Sequence, residues 1–178
     1  MLIDLSALLR GETREVLFEY SITLTDAPMG IEYTAPAEVS GKVTDNGGYI
    51  RLVSEARVPY HGECARCLEP ISRELTVNFE RTLIPEGTAS ERRLSELEDE
   101  EDYLIIKHGK LDMDEALRET IYLEFPYRLL CSEDCPGLCP RCGKRLSPGE
   151  VCGCQKPQTD PRWDKLKELL GNDDGDEK

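Results

Sequence analysis

The first half of the chain alternates apolar and polar positions in the manner of β-strands. Residues 15–24 (EVLFEYSITL) are rich in the β-branched and aromatic side chains that strands favour. Residues 37–44 and 49–58 flank Asp-Asn-Gly-Gly at 45–48, a turn sequence typical of hairpins. A further alternating run covers 71–83 (ISRELTVNFERTL). The pattern predicts an antiparallel β-meander or a barrel-like sheet.

Helical spacing appears only later in the sequence. Within LDMDEALRETIYLEF the apolar residues recur every three to four positions, which predicts one main helix over 112–125. Asp112 is the predicted N-cap, and Pro126 ends the helix. A second, short helix is predicted over 160–171, between an Asp-Pro pair and a glycine. Together these elements predict an α+β fold.

Charge and composition divide the chain further. The sequence has 36 acidic and 22 basic side chains, and its net charge of −14 repels phosphate backbones at long range. Acids concentrate at 86–102, which predicts an exposed acidic insert within a β-rich body over 1–125; residues 126–178 form a cysteine-rich extension. We identify no signal peptide and no apolar run long enough to cross a membrane, so we expect a cytoplasmic protein.

Cysteines carry the strongest chemical signal. Six of the eight lie within CSEDCPGLCPRCGKRLSPGEVCGC at 131–154, and the other two form a Cys-x-x-Cys at a predicted strand turn. In a reducing compartment such spacing indicates metal binding rather than disulfides. Four thiolates complete the tetrahedral shell that zinc prefers, so we predict two four-cysteine zinc sites. The predicted ligands are Cys64, Cys67, Cys131, Cys135, Cys139, Cys142, Cys152 and Cys154.

The spacing alone leaves the pairing of these cysteines open. In the first grouping, based on locality, one site is formed by Cys139, Cys142, Cys152 and Cys154. Its second site, formed by Cys64, Cys67, Cys131 and Cys135, would staple the C-terminal segment to the sheet. The alternative grouping joins Cys131, Cys135, Cys139 and Cys142 and leaves Cys64, Cys67, Cys152 and Cys154 as the long-range site.

Catalytic patterns are weak by comparison. The C-x3-C-x2-C spacing at 135–142 matches that of radical iron–sulfur enzymes, but no succession of strand–helix units is present to build their barrel. His61 lies near Cys64, yet a single histidine at a turn is more often a surface residue than part of a Cys–His pair. The acidic run at 98–102 lacks the spaced ligands of a calcium loop. We therefore predict that the protein is not an enzyme.

Basic side chains cluster on the cysteine turns despite the acidic composition. They are Arg66, Arg141, Lys144 and Arg145. Two roles fit them: contact with RNA or a protein partner, or neutralisation of the negative zinc–thiolate centres. The sequence favours neither role over the other.

Several phrases together are specific in order and spacing: GECARCLEP at 62–70, LDMDEALRETIYLEFPYRLLC, EDCPGLCPRCGKRLSPGEVCGC and DPRWDKLKELL. They resemble the YceD family, the large ribosomal RNA subunit accumulation proteins, and the full cysteine set resembles the Gram-positive-type branch. The resemblance implies a non-enzymatic factor that supports accumulation, processing or assembly of large-subunit (23S) ribosomal RNA, and the cysteine spacing predicts that zinc stabilises it. The resemblance implies the RNA or a pre-ribosomal particle as partner, and the acidic charge suits a basic ribosomal protein as a further partner.

Two other functions stay open at this point. One is a metal- or thiol-dependent enzyme that acts on RNA or another cytosolic substrate. The other is an acidic chaperone for a basic ribosomal protein, which the net charge of −14 would suit.

Overall fold

A computed structural model describes residues 1–28, 30–88 and 103–154 of the chain. The chain divides into two compact units, Met1–Cys131 (unit 1) and Ser132–Lys178 (unit 2). The second predicted helix, over 160–171, and most of the predicted acidic insert lie outside the described residues. Within the described ranges, no helix is both long and apolar enough to cross a membrane.

In its described residues, unit 1 is mostly sheet, with one main helix. Its strands are β1 (Leu2–Asp4), β2 (Glu15–Ile22), β3 (Ile31–Tyr33), β4 (Ala37–Asp45), β5 (Ile50–Glu63), β6 (Pro70–Pro85), β7 (Tyr103–Ile106) and β8 (Lys110–Asp112). Its helices are the short α1 (Ser6–Leu9) and the main helix α2 (Asp114–Glu124). This content confirms the predicted α+β class.

Six strands form one sheet with the order β2-β4-β5-β6-β7, and β3 pairs with the second half of β5. The pairs β2–β4, β4–β5 and β5–β6 are antiparallel, as the meander requires. Strand β7 runs parallel to β6, and β1 and β8 make a separate antiparallel pair. The described strands therefore follow the meander, with β2 and β7 at the two ends of the order.

The alternation in the sequence becomes the two faces of the sheet. Along β5, Leu52, Ala56 and Val58 are fully buried on one face, while Arg51 and Arg57 at alternate positions are exposed. Helix α2 buries Leu117 and Ile121 and packs against β6. Each such side chain stabilises the fold by about 1.5–3 kcal/mol. The long strands β5 and β6 are thus held firmly up to the turn that joins them.

The start of the main helix differs from the prediction. Asp112 belongs to β8, where it pairs with Leu2, and the N-cap position is occupied by Met113 without a side-chain hydrogen bond. Asp112 still accepts a hydrogen bond from the Asp114 N–H, 3.2 Å from its Oδ1 atom. The strand pairing moves the helix start by two residues, and the carboxylate keeps part of its capping role.

Candidate metal centres

The turn between β5 and β6 presents the first pair of thiols. The Cys64 N–H donates to the Glu69 carbonyl at 2.8 Å, and the Leu68 N–H donates to the Cys64 carbonyl at 2.9 Å. Leu68, which follows Cys67, has a φ of 59°. A non-glycine residue in this left-handed region carries a conformational cost of about 1–2 kcal/mol. The hydrogen bonds and contacts of this turn must therefore offset the cost of the left-handed conformation of Leu68.

The turn around Cys139 and Cys142 repeats the same backbone geometry in unit 2. The Cys139 N–H donates to the Lys144 carbonyl at 2.8 Å, and the Gly143 N–H donates to the Cys139 carbonyl at 2.9 Å. Gly143 follows Cys142 with a φ of 70°, at the position that Leu68 occupies in the first turn. Here glycine adopts the conformation without steric cost. Both Cys-x-x-Cys segments are thus knuckles of one kind, which direct two sulfurs to the same side.

The segment after α2 supplies a further thiol to the first knuckle. Its path is fixed by a hydrogen bond from the Ala65 N–H to the Leu129 carbonyl, at 2.8 Å. The Arg73 guanidinium donates to the Cys131 carbonyl, also at 2.8 Å. These bonds bring the Cys131 sulfur to 3.6 Å from that of Cys67. Nothing in the sequence pattern marks Arg73 for this role, because it stands among other charged residues on β6.

The eight thiols gather into two quartets, and the sulfurs of each quartet lie within 4.8 Å of one another. The first quartet consists of Cys64, Cys67, Cys131 and Cys135, and the second consists of Cys139, Cys142, Cys152 and Cys154. This is the first of the two groupings that the sequence allowed. In the first quartet Cys64, Cys67 and Cys135 are buried, whereas Cys142 in the second is exposed.

The sulfur spacing tests whether a metal fits. No disulfide joins any of the eight cysteines, and the Cys67–Cys131 and Cys142–Cys152 separations of 3.6 and 3.7 Å are far too long for one. A tetrahedral zinc centre with Zn–S distances of about 2.3 Å has sulfur–sulfur edges of about 3.8 Å. Both quartets can therefore hold a single ion of a soft, tetrahedral metal. A cluster with several irons would need wider spacing, because its four thiolates would be divided among different irons.

Backbone N–H groups in each knuckle prepare one thiol as a thiolate. Burial opposes ionisation of Cys64, but N–H groups of Cys131, Arg66 and Cys67 aimed at its sulfur lower its pKa to about 6. The N–H groups of Cys142 and Arg141 likewise lower the pKa of Cys139 to about 6.

The pKa of Cys154 in the second quartet shifts in the opposite direction. Hydrogen bonds with Cys152 and Cys142 raise the pKa of Cys154 to about 12. A divalent cation at the centre would lower the pKa of Cys154 again, because its positive charge stabilises all four sulfurs as thiolates.

The four basic residues predicted as contacts all lie on the knuckles. Lys144 forms an ion pair with Glu150, with its Nζ atom 2.7 Å from Oε1, and this pair raises the pKa of Lys144. Arg145 lies in a β-bridge with Leu138, and Arg66 and Arg141 contribute the backbone N–H groups described above. His61 belongs to neither quartet; its Nδ1 atom is 3.1 Å from the Ser72 hydroxyl.

Comparison with known proteins adds family information to this geometry. A family model described as "Large ribosomal RNA subunit accumulation protein YceD" matches residues 52–170. An uncharacterized protein of Mycobacterium tuberculosis is 31% identical over 179 residues, which cover 96% of this chain and 82% of that protein. A Zea mays protein named "Large ribosomal RNA subunit accumulation protein YCED homolog 1, chloroplastic" is 25% identical over 149 residues. The matched residues cover 71% of this chain and 51% of the Zea mays protein. No solved structure matches.

Proposed function

Because this chain belongs to the YceD family of large ribosomal RNA subunit accumulation proteins, we propose that it supports the accumulation, processing or assembly of 23S ribosomal RNA in the cytoplasm. In this proposal it acts as a zinc-stabilised binding protein. The observation that carries the structural part is the pair of thiol quartets, each with four protein ligands at the spacing of a tetrahedral ion. The ligands are the eight cysteines of those quartets.

Binding is favoured over catalysis by the composition of the quartets. Among the described residues, the clusters of three or more potential metal ligands are these two, and both consist only of cysteine. Four thiolates leave zinc no open position for water or substrate, whereas catalytic zinc keeps one. A metal-dependent enzyme would need a three-ligand site, so the all-cysteine sets argue against this alternative.

Charge suggests how the protein could meet a ribosomal particle. Each four-thiolate zinc centre adds two negative charges, which would take the net charge from −14 to about −18. In the proposal this acidic surface holds a basic ribosomal protein, while the basic side chains of the knuckles touch RNA. Those side chains are Arg66, Arg141, Lys144 and Arg145, of which Lys144 also forms the ion pair with Glu150.

Depletion of the protein tests the proposal directly. In cells of the source organism, depletion should lower large-subunit rRNA selectively, and the protein should co-sediment with precursor particles in sucrose gradients. Re-expression of the wild-type chain should restore the rRNA, and re-expression of Cys139→Ser should not. Unchanged large-subunit rRNA after depletion would refute the proposed function.

A second experiment separates RNA contact from protein contact. If the knuckles touch RNA, reversing charge with Arg141→Glu and Arg145→Glu should weaken co-sedimentation with precursor particles. The acidic chaperone is the second candidate, favoured by the net charge of −14. In that case the association would survive nuclease treatment and would be unaffected by the two reversals.

A further inference from the structure

A groove on unit 1 runs past the C-terminal end of α2. It has a volume of about 1030 Å³ and lies between the loop before β3, the end of β5 and the segment that follows the helix. A smaller depression of about 390 Å³ continues beside it, and Tyr122 and Leu123 line both. The two form one continuous surface, and none of the eight cysteines lines it.

Apolar side chains stand unusually exposed along this groove. Leu123 is 73% exposed and Tyr127 is 96% exposed, and adjacent exposed apolar side chains of this kind are typical of interaction surfaces. Beneath them the floor is firmly packed, since the Phe125 ring meets the Tyr60 ring edge-on with centroids 5.2 Å apart. The groove is therefore a fixed surface with a protruding apolar ridge.

The floor and one wall approach each other too closely for any side chain at Gly62. A Cβ atom there would lie 2.5 Å from the Leu129 Cδ1 atom and 2.9 Å from the Gly30 carbonyl oxygen. The Leu129 carbonyl also accepts the Ala65 N–H of the first knuckle. The wall is thus tied to the turn that carries Cys64 and Cys67.

The charges that line the groove decide what could lie in it. Four carboxylates face it, and none forms an ion pair with another residue in the part of the chain that the structure describes: Asp26, Glu32, Glu63 and Glu119. The two lining arginines are already engaged. Arg118 donates to the Thr23 carbonyl, and the Arg128 guanidinium lies 5.9 Å from the centre of the Tyr127 ring. Such a groove repels phosphates and attracts cations.

We propose that this groove binds a cationic polypeptide segment that also carries apolar side chains. The apolar side chains of the segment cover Leu123 and Tyr127, and its lysines or arginines pair with the carboxylates at the rim. The inference deepens the proposed function by naming the chemistry of the protein partner, and it rests on that function only for the source of the segment. Peptide binding in solution and rRNA levels in cells can fail independently, so the two proposals are separately refutable.

The test uses the full-length zinc-loaded protein and a defined probe. The probe is a fluorescent twelve-residue peptide in which Lys-Val-Lys-Leu is repeated three times, and binding is followed by anisotropy at low and physiological salt. The Leu123→Asp variant should bind the probe at least about tenfold more weakly, as expected for loss of one buried leucine from an interface. The matched control is Leu17→Asp on β2, because Leu17 is also 73% exposed and lies outside the groove.

Charge is tested with a second matched pair. Glu32→Lys should weaken binding and flatten its salt dependence, whereas Glu19→Lys, on the exposed face of β2, should not. Equal losses in groove and control variants would reduce the effect to general attraction by an acidic protein and overturn the proposal. It would also be overturned if single-stranded oligouridylate competed for the groove, or if the Glu-Val-Glu-Leu version of the peptide bound as well. Circular dichroism of each variant verifies that the fold is intact.

Discussion

Loss of a single exposed thiol should remove one zinc ion and unfold one local structure. In Cys142→Ser the second quartet keeps three thiolates and gains a hydroxyl, which is a poor ligand for zinc. Cys142 is exposed, so the substitution leaves no cavity and changes no apolar packing. We expect zinc content to fall from about two ions per chain to about one.

The magnitude follows from how little else holds the segment around this quartet. Among residues 132–154, the buried side chains are those of Cys135 and Cys139, which are themselves predicted ligands. Burial of one apolar side chain contributes about 1.5–3 kcal/mol, whereas structural zinc contributes about 10–16 kcal/mol to small metal-dependent folds. The metal therefore outweighs apolar burial several-fold in this segment, and the segment should not stay ordered without it.

Hydrogen exchange measured by mass spectrometry can resolve this local effect. The amides of Cys139, Gly143 and Leu146 donate within the segment, to Lys144, Cys139 and Gly137 respectively. In Cys142→Ser these amides should exchange as they do in an unfolded chain, while those of β5 stay protected. Val151→Ser is the matched control, because Val151 is 90% exposed in the same segment and is no ligand.

Two results would refute this reasoning. If the Cys142→Ser variant retains two zinc ions, Cys142 is not a required ligand of a metal site formed by the second quartet. Equal loss of protection in Val151→Ser would show that the segment depends on something other than the metal.

Three further outcomes follow from other parts of the structure. Gly41→Ala should destabilise unit 1 by about 1–3 kcal/mol in urea unfolding, because a Cβ atom would lie 2.5 Å from the Ser54 Cβ atom and 2.6 Å from a backbone oxygen; unchanged stability would contradict the packing. Tyr20→Phe removes a 2.9 Å hydrogen bond to the Asp114 carboxylate and should cost about 1 kcal/mol in the same assay. Zinc affinity should fall more steeply below about pH 6, because Cys139, whose pKa is lowered to about 6, then also carries a proton that zinc must displace. The same lowered pKa contributes folding stability that is present above its usual value of 9.0 and lost as the pH drops through about 6. Equilibrium dialysis measures the zinc affinity, and affinity independent of pH would count against thiolate ligation.

The sequence predicted the long elements and the local quartet, because both leave regular patterns. Alternation over eight or more residues marks a strand, and closely spaced cysteines with Gly143 at the turn mark a knuckle. Strands of three residues, such as β1 and β8, are too short to show any period. Strand β7 runs parallel to β6, and this direction follows from pairing between strands that are not adjacent in the sequence. Alternation within a strand carries no information on the direction in which the strand pairs.

The first quartet shows a different limit of sequence reasoning. Its grouping could not be decided from spacing, because 64 residues separate Cys67 from Cys131. Its knuckle also has Leu68 where the other has glycine, so the residue that adopts the left-handed conformation gives no signal in the sequence. In this case tertiary contacts, including the bond from Arg73 to the Cys131 carbonyl, determine the local conformation.

The two quartets should therefore contribute to stability in different ways. A link between Cys67 and Cys131 closes a loop of 64 residues, whereas one between Cys142 and Cys152 closes a loop of 10. In the chain-entropy description the longer closure restricts the unfolded chain more, by about 1.6 kcal/mol. The first quartet also adjoins the packed sheet, since Cys64 and Cys67 are buried directly after β5. Metal bound in the first quartet would thus add to a fold that already has a core, and metal bound in the second would create local order where apolar burial is minimal.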